Sequence, residues 1–371
     1  MNCKSKMKQF FLSVCLASSV TAVAADGPSV ELASAPTVKF PGGHNAERKA
    51  DFIADCGSPL HWVGDTLYVF NSWENPWRGQ GPDLFHLERG SATKMDPALD
   101  KLWLWLESTW KDDNGNLYGW VHNEFPNVCP NTSRSDLPAP GYPVLARVGA
   151  VKSSDNGTNW QSLGFVMDGR PNDLKCDGQG PWYAGGVGDL CVFLDNQKEY
   201  FYFFFASFAT KTSEQGLCVA RMPFAERDNP VGKVMIWHNG KWEQPAVGGG
   251  AVTPFLPIVG DVHSKDCQLF WGPSIHWNTY LKKYVMVVNR TINSKWETEG
   301  QYVLFADRLD DPNAWTRPVK FTDPKTSGTR GWYVQVVGTG KGETDKLASR
   351  TARLFLDGES KWEIRFKKTD E

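Results

Sequence analysis

Gly57-Ser58-Pro59-Leu60-His61-Trp62 leads into the run Thr66-Leu67-Tyr68-Val69-Phe70, and far along the chain Gly272-Pro273-Ser274-Ile275-His276-Trp277 leads into Tyr284-Val285-Met286-Val287-Val288. Both stretches are one unit: Gly-x-x-aliphatic-His-Trp, a turn, then a β-branched or aromatic strand. A unit of strands that returns at a long period indicates blades set around an axis rather than a solenoid of helices. What repeats in such a chain belongs to the scaffold, which is the reading for His61 and His276 as ring atoms bonded within a blade. Function is sought in what breaks the repeat.

Elsewhere helical periodicity is nearly absent, and short apolar runs alternate with Gly, Asn, Asp and Pro turns. The runs form five clusters. Strands are predicted near 58–63, 66–73 and 83–89, then near 102–110, 117–124, 144–151 and 160–165. A third cluster has 189–195, 199–208, 216–223 and 233–243, and a fourth 272–278, 283–290, 301–307 and 315–321. The fifth has only 332–338, 350–356 and 362–368. The expected fold is all-β, a single five-bladed β-propeller closed by an N-terminal strand, Thr37-Val38-Lys39-Phe40, which supplies the strand the last blade lacks. The longest irregular insertions are 126–143 and 165–185, and no low-complexity linker divides the chain.

The first residues read as an export signal. Lys4, Lys6 and Lys8 precede the apolar stretch Phe10 to Val20, and Ala22-Val23-Ala24 is a small-x-small cleavage site. Residues 1–24 are therefore assigned as signal peptide and 25–371 as the propeller domain, secreted or periplasmic. Leu12-Ser13-Val14-Cys15 resembles a lipoprotein box, but Val14 is too large for the position before the cysteine. No later stretch reaches eighteen uninterrupted apolar residues, so no membrane span is expected.

Cleavage would remove three lysines and no acid, taking the formal net charge from −2 to −5. An acidic chain without a Lys/Arg cluster has no attraction for a phosphate backbone, so nucleic acid is not an expected partner. Six cysteines remain: Cys56, Cys129, Cys176, Cys191, Cys218 and Cys267. An even count in an exported chain predicts at least one disulfide among them. Cys56 beside Asp55 and Cys267 beside Asp266 are placed to pin loops on the active face. There is no Cys-x-x-Cys, His-x-x-x-His or HExxH spacing, so no metal ligands and no cofactor are assigned; a structural Ca2+ on carboxylates and carbonyls is the one ion the residue types suit. Gly248-Gly249-Gly250 has no preceding strand or following helix and lysine, and so is no phosphate loop.

Ser153-Ser154-Asp155-Asn156-Gly157-Thr158-Asn159-Trp160 resembles the Asp-box of sialidase-like propellers, with Asn159 in place of a Thr. Its content is a tight hairpin in which Asp155 accepts turn amides and Gly157 takes positive φ, so Asp155 is structural. More widely, Asp55-Cys56-Gly57-Ser58-Pro59, Tyr118-Gly119-Trp120-Val121-His122-Asn123-Glu124, Gly186-Val187-Gly188-Asp189, Trp271-Gly272-Pro273-Ser274-Ile275-His276-Trp277-Asn278 and Gly331-Trp332-Tyr333-Val334-Gln335 touch every blade. On these segments the chain resembles the five-bladed propeller glycosidases of glycoside hydrolase families 43, 32 and 117, and domain-of-unknown-function family 4185. The resemblance implies carboxylates from separate blades around the mouth of the channel, with Asp55 and Asp189 at matching positions. The general acid of family 43, a Glu on a later blade, has no match: blade four offers Ser274 and His276.

In a propeller the start of each first strand and the end of each second strand open onto one face. Asp55 and Asp189 begin first strands, and His122, Asn123 and Glu124 end a second one. The expected reaction is hydrolysis of a glycosidic bond in an oligo- or polysaccharide by a monomeric enzyme. It needs one protonated and one ionised carboxyl flanking the bond. Asp55 is the expected base or nucleophile, Glu124 the acid, with Asp266 as its alternative, and Asp189 the carboxylate that tunes them. His122, Asn123, Trp73, His276, Arg290, Tyr333 and Gln335 are the expected substrate contacts. The structural alternative has Asp55 and Asp189 capping loop amides and Glu124 facing solvent. Two other functions stay open: a non-catalytic carbohydrate-binding propeller, with several of the 17 tryptophans as sugar platforms, and a polysaccharide lyase built on His122, Tyr333 and Arg290.

Overall fold

The computed structural model describes residues 20–22, 27–42, 44–45, 50–51, 54–73, 75–99, 103–130, 135, 137–138, 140–170, 172–323 and 331–369. Within them the chain is all-β, and its helical content is confined to single 3-10 turns at Thr212–Glu214, Phe224–Glu226 and Pro312–Ala314.

The strands form successive antiparallel meanders. Sheet one holds Leu60–Val63, Thr66–Trp73, Asn75–Gly81 and Glu88–Ala92. Sheet two holds Trp103–Lys111, Leu117–Phe125, Val144–Ser153 and Gln161–Met167. Sheet three holds Tyr183–Leu194, Tyr200–Ser207 and Gly216–Pro223, then the hairpin Met235–His238 and Lys241–Pro245. Sheet four holds Phe270–Asn278, Lys283–Thr291, Thr298–Ala306 and Val319–Lys320. Sheet five holds Gln335–Gly338, Thr351–Leu356 and Glu359–Lys367, with Ser29–Lys39 on its outer edge. A short parallel pairing that starts at Val144↔Tyr183 fuses sheets two and three.

The N-terminal strand pairs over a longer span than 37–40, from Ser29↔Lys367 to Lys39↔Glu359. Val20–Ala22 adds a further short strand outside it. One expected strand is split, the one expected near 83–89 begins only at Glu88, and one strand was not expected. The segment read as one strand near 233–243 is a hairpin turning at Asn239-Gly240, both at positive φ, the backbone an Asn-Gly turn demands. Asn75–Gly81 is a strand despite Pro76, Gly79 and Gly81, because it pairs with Thr66–Trp73 along its full length.

Period-two alternation explains how the sheets stack. In Tyr200–Ser207, Phe201, Phe203 and Phe205 enter an apolar layer shared with Trp120 and Val148 of sheet two. The alternate residues, Tyr202 and Phe204, enter a layer shared with Tyr284 and Met286 of sheet four. Both faces of that strand are buried, each Phe contributing about 1.5–3 kcal/mol through lost apolar surface. Val285 and Val287 of sheet four meet Leu354 and Val336 of sheet five. Phe70 of sheet one meets Leu104 and Leu106 of sheet two. Leu60, Leu67 and Val69 of sheet one meet Val337 and Phe355 of sheet five. First and last sheets are also stitched by Gln335, whose amide accepts from Ser58 N at 3.1 Å and donates to Ser58 O at 2.7 Å.

The Asp-box hairpin lies between Val144–Ser153 and Gln161–Met167 as expected. Asp155 Oδ1 accepts from Thr158 N and Asn159 N, Gly157 has φ +78°, and Trp160 is buried against Phe70. One disulfide, Cys129–Cys176, is present among the described residues, and it ties the two long insertions to each other. Cys56 and Cys267, the cysteines expected to pin loops, are free and buried. Cys56 instead hydrogen-bonds the carbonyls of Gly57 and Leu106, sealing sheet one against sheet two.

Candidate active site

The inner strands of sheets two and three bring a group of acids to one place. Glu124 is near the end of Leu117–Phe125, two residues after His122, so both side chains lie on one face. His122 Nε2 is 3.7 Å from Glu124 Oε1, and its Nδ1 is 3.5 Å from Glu107 Oε1. Nδ1 also accepts the Asp189 N–H at 2.9 Å. That bond occupies the Nδ1 lone pair, while Nε2 is buried with no hydrogen-bond partner. Glu107 is the extra residue of a β-bulge, where the register slips between Trp120 and Val121. Its Oε2 accepts the Leu190 N–H at 2.5 Å.

Burial sets the charge of the group. Glu124 is lifted to about 7, first by burial and then by Asp189 and Asp55, against the pull of His122 and Tyr142. Asp189 is lifted to about 7, again first by burial, with Glu107 and Asp55 adding to it and His122 and a hydrogen bond from Tyr183 opposing it. Glu107 reaches about 8 through burial and the Asp55 charge, against the Leu190 amide. Several carboxyls crowded out of water cannot all ionise, so protons are retained near neutral pH. Asp55 is half-buried at the mouth of sheet one, its N–H donating to Ser72 O at 3.2 Å.

Tyrosines complete the wall. Tyr142 donates to Glu124 Oε2 at 2.5 Å and is held between Trp103, stacked at 5.3 Å, and the edge of Trp182. Tyr183 stacks on Phe208 at 3.8 Å. Tyr333 is half-buried edge-on to Trp271, its hydroxyl pushed well above the usual range by desolvation and by the charges of Asp189, Asp55 and Glu107. A cavity beside Glu107 is lined by Gly57, Glu107, Cys191, Gly272, Tyr333 and Lys346, which lie in or next to strands of all five sheets.

Of the expected residues, Asp55, Glu124, Asp189, His122 and Tyr333 come together. The others do not. Asn123 points to the opposite face of its strand, where it donates to Trp103 O and accepts from Arg147 at 2.7 Å. Gln335 has both amide ends engaged by Ser58. His276 is fully buried beside Phe366, and burial depresses its imidazole to about 3, so it is a neutral core ring. His61 likewise packs inside the fold, bonded to Asn156. Arg290 is paired with Glu299 and Gln268 and lies over Phe270, which removes the cation a lyase would use. Asp266 is an exposed turn residue. The backbone of Trp73 ends its strand, and its side chain lies outside the described residues.

Glu107, Tyr142 and Tyr183 were missed. The signal for Glu107 was a lone acid inside the apolar run Trp103-Leu104-Trp105-Leu106-Glu107-Ser108-Thr109-Trp110. Glu107, His122 and Asp189 also carry ligand atoms within 4.8 Å of one another, close enough to share a metal ion. A cation held through His122 Nδ1 would have to displace the Asp189 amide, which that nitrogen already accepts.

No family model matches the chain, and no curated protein matches it. Solved structures that resemble it include a xylan β-1,4-xylosidase from Bacillus halodurans C-125, at 13% identity and TM-score 0.46, covering 90% of this chain and 54% of that one. An exo-β-1,3-galactanase from Phanerochaete chrysosporium with β-1,3-galactotriose has 13% identity and TM-score 0.48, over 90% of this chain and 64% of that one. The catalytic domain of a family 62 α-L-arabinofuranosidase from Coprinopsis cinerea has 10% identity and TM-score 0.47, over 90% and 95%. The chain thus spans little more than half to two thirds of the first two. No residue role is carried over from any of them.

Proposed function

We propose that this chain is an exported, monomeric glycoside hydrolase whose five meanders form the blades of a closed propeller, with an oligo- or polysaccharide bound at the mouth of its axial cavity. The observation that carries the reading is a pair of buried carboxyls from neighbouring sheets, Glu124 and Asp189, both lifted to about 7 beside the half-buried Asp55. A carboxyl that keeps its proton near neutral pH can protonate a departing glycosidic oxygen, and an ionised neighbour can activate water or attack the sugar. Glu124 is the acid in this scheme, Asp55 the base or nucleophile, and Asp189 the group whose negative charge keeps Glu124 protonated. The apolar layer and the Gln335–Ser58 bonds between first and last sheets support closure of the ring.

Export is supported by the disulfide, which persists in oxidising compartments. Cleavage after Ala24 would remove Val20–Ala22 and leave the Ser29–Lys39 ladder whole. The test is a screen of plant, algal and bacterial glycans, followed by Asp55→Asn, Glu124→Gln and Asp189→Asn on whatever is cleaved. Each substitution should lower turnover by about a hundredfold or more, the scale of a lost acid or base. Full rates in all three would remove the site assignment. Binding without cleavage would make the protein a carbohydrate-binding module, and unsaturated products would make it a lyase.

A further inference from the structure

Three inner strands carry the same irregularity at the same level. In sheet three Gly188 pairs with Ala206 and Cys191 with Phe204, so Asp189 and Leu190 together face Phe205. In sheet four Trp271 pairs with Asn289 and Ser274 with Val287, so Gly272 and Pro273 face Val288. In sheet five Trp332 O accepts from Asp357 N and Gln335 pairs with Phe355, so Tyr333 and Val334 face Leu356. The leading residue of each bulge is left-handed, with φ +46° at Asp189, +57° at Gly272 and +49° at Tyr333. That backbone is free for glycine and strained for the other two.

The two strained residues share a device. The Asp189 N–H is accepted by His122 Nδ1 at 2.9 Å, from the second strand of the preceding sheet. The Tyr333 N–H is accepted at 3.2 Å by Asn289, also from the second strand of the preceding sheet, in the amide orientation that satisfies both of its ends. His122 faces Trp105, just before the Leu106–Glu107 irregularity, as Asn289 faces Trp271 just before the bulge of its own sheet. In sheet three the residue at that place is Ala206, which offers no side-chain acceptor, and the next bulge leads with glycine. The second bulge residue follows the same logic: Leu190 has an N–H and Glu107 accepts it, whereas Pro273 has none to satisfy.

From this pattern the structure assigns Glu107 and His122 as a positioning pair. Their two acceptors hold the Asp189–Leu190 bulge and thereby aim the Asp189 carboxylate, without themselves touching substrate. Gly188 keeps the arrangement close, since a Cβ there would lie 2.3 Å from the His122 ring. The effect on turnover rests on the hydrolase reading; the effect on the backbone does not.

The test compares four variants of the full chain: His122→Phe and Glu107→Leu, which remove the acceptors, and His122→Asn and Glu107→Gln, which keep one. Amide hydrogen exchange across residues 186–193 is expected to quicken in the first two and to stay near wild type in the second two. Asp189→Gly, the solution sheet four already uses, should make the chain less sensitive to His122→Phe, so the two stability losses should be less than additive. Where a glycan is cleaved, His122→Phe and Glu107→Leu should lower kcat about a hundredfold with KM little changed, the cost of misplacing a reacting group. His122→Asn should recover most of that loss. Unchanged exchange in both acceptor-less variants, or strict additivity with Asp189→Gly, would overturn the assignment. If no glycan is cleaved the hydrolase reading fails, and exchange and additivity still decide this one. If His122→Phe does not fold, Glu107→Leu against Glu107→Gln gives the same decision.

Discussion

The Tyr142 hydroxyl donates to Glu124 Oε2 at 2.5 Å, joining an irregular insertion to a strand-borne acid. This bond favours the ionised carboxyl and so opposes the lift that burial gives Glu124. Tyr142→Phe should therefore raise the pKa of Glu124 and move the alkaline limb of the pH–rate profile to higher pH. A limb that stays in place would show that another group sets it.

Between about pH 6.5 and 8 the folded protein should lose stability as pH rises. Glu107, at about 8, and Glu124 and Asp189, at about 7, hold protons in the native state that the unfolded chain has released. Wherever the native state binds more protons, stability falls with rising pH. The buried neutral rings His61, at about 4, and His276, at about 3, act the other way, adding stability as pH rises toward 6.5 and nothing beyond it. Denaturant melts at fixed ionic strength across this range should show the decline, and Glu107→Gln should make it shallower. A rise over the same interval would contradict the charge states assigned here.

Replacing Cys129 and Cys176 by serine should cost up to about 4 kcal/mol, the chain-entropy figure for a 47-residue loop. It should also loosen the insertion that carries Tyr142. The pH–rate profile of the serine variant should then shift in the same direction as that of Tyr142→Phe. A stability loss with no shift would confine the disulfide to a scaffolding role.

Removing residues 27–39 should lower Tm on the order of 10 °C, from the loss of two core aliphatics and a ladder of backbone bonds. Val30 and Leu32 are buried opposite Phe366 and Ile364. The strand Glu359–Lys367 would be left as a bare edge, so aggregation should accompany the loss. An unchanged melting curve would show that the last sheet stands without its outer strand.

The fold was legible where apolar runs are continuous, as in strands buried on both faces. Tyr200–Ser207 and Lys283–Thr291 announce themselves by β-branched and aromatic runs, and the pairing of both chain ends follows from the missing strand of the fifth cluster. Asn75–Gly81 was not legible, because Pro76, Gly79 and Gly81 are turn residues everywhere except where a partner strand imposes the conformation. In the site, Glu124 was marked by its place at a strand end, whereas Asp189, expected to begin a strand, lies within Tyr183–Leu194, and Asp55 precedes Leu60–Val63. Glu107 was hidden because a bulge, which leaves no mark on periodicity, turns it out of the ladder. His276 was read both as scaffold and as a substrate contact; only the first holds, because it repeats His61 and repetition at that position reports packing. Asn123 failed on parity, since on one strand it cannot share a face with both of its neighbours, His122 and Glu124.

The outer strand of the last sheet has a consequence for how the molecule is made. Ser29↔Lys367 and Val30↔Phe366 join segments far apart in sequence, so this pairing cannot begin until Lys367 has been synthesised. Gly57 and Tyr333, next to the first and last sheets, both line the cavity, which therefore needs both ends in place. Folding sheet by sheet during elongation can build the middle of the molecule but not the cavity that its first and last sheets share. The joining of the first and last sheets is the most non-local step of the fold, and non-local pairings are the slowest to form.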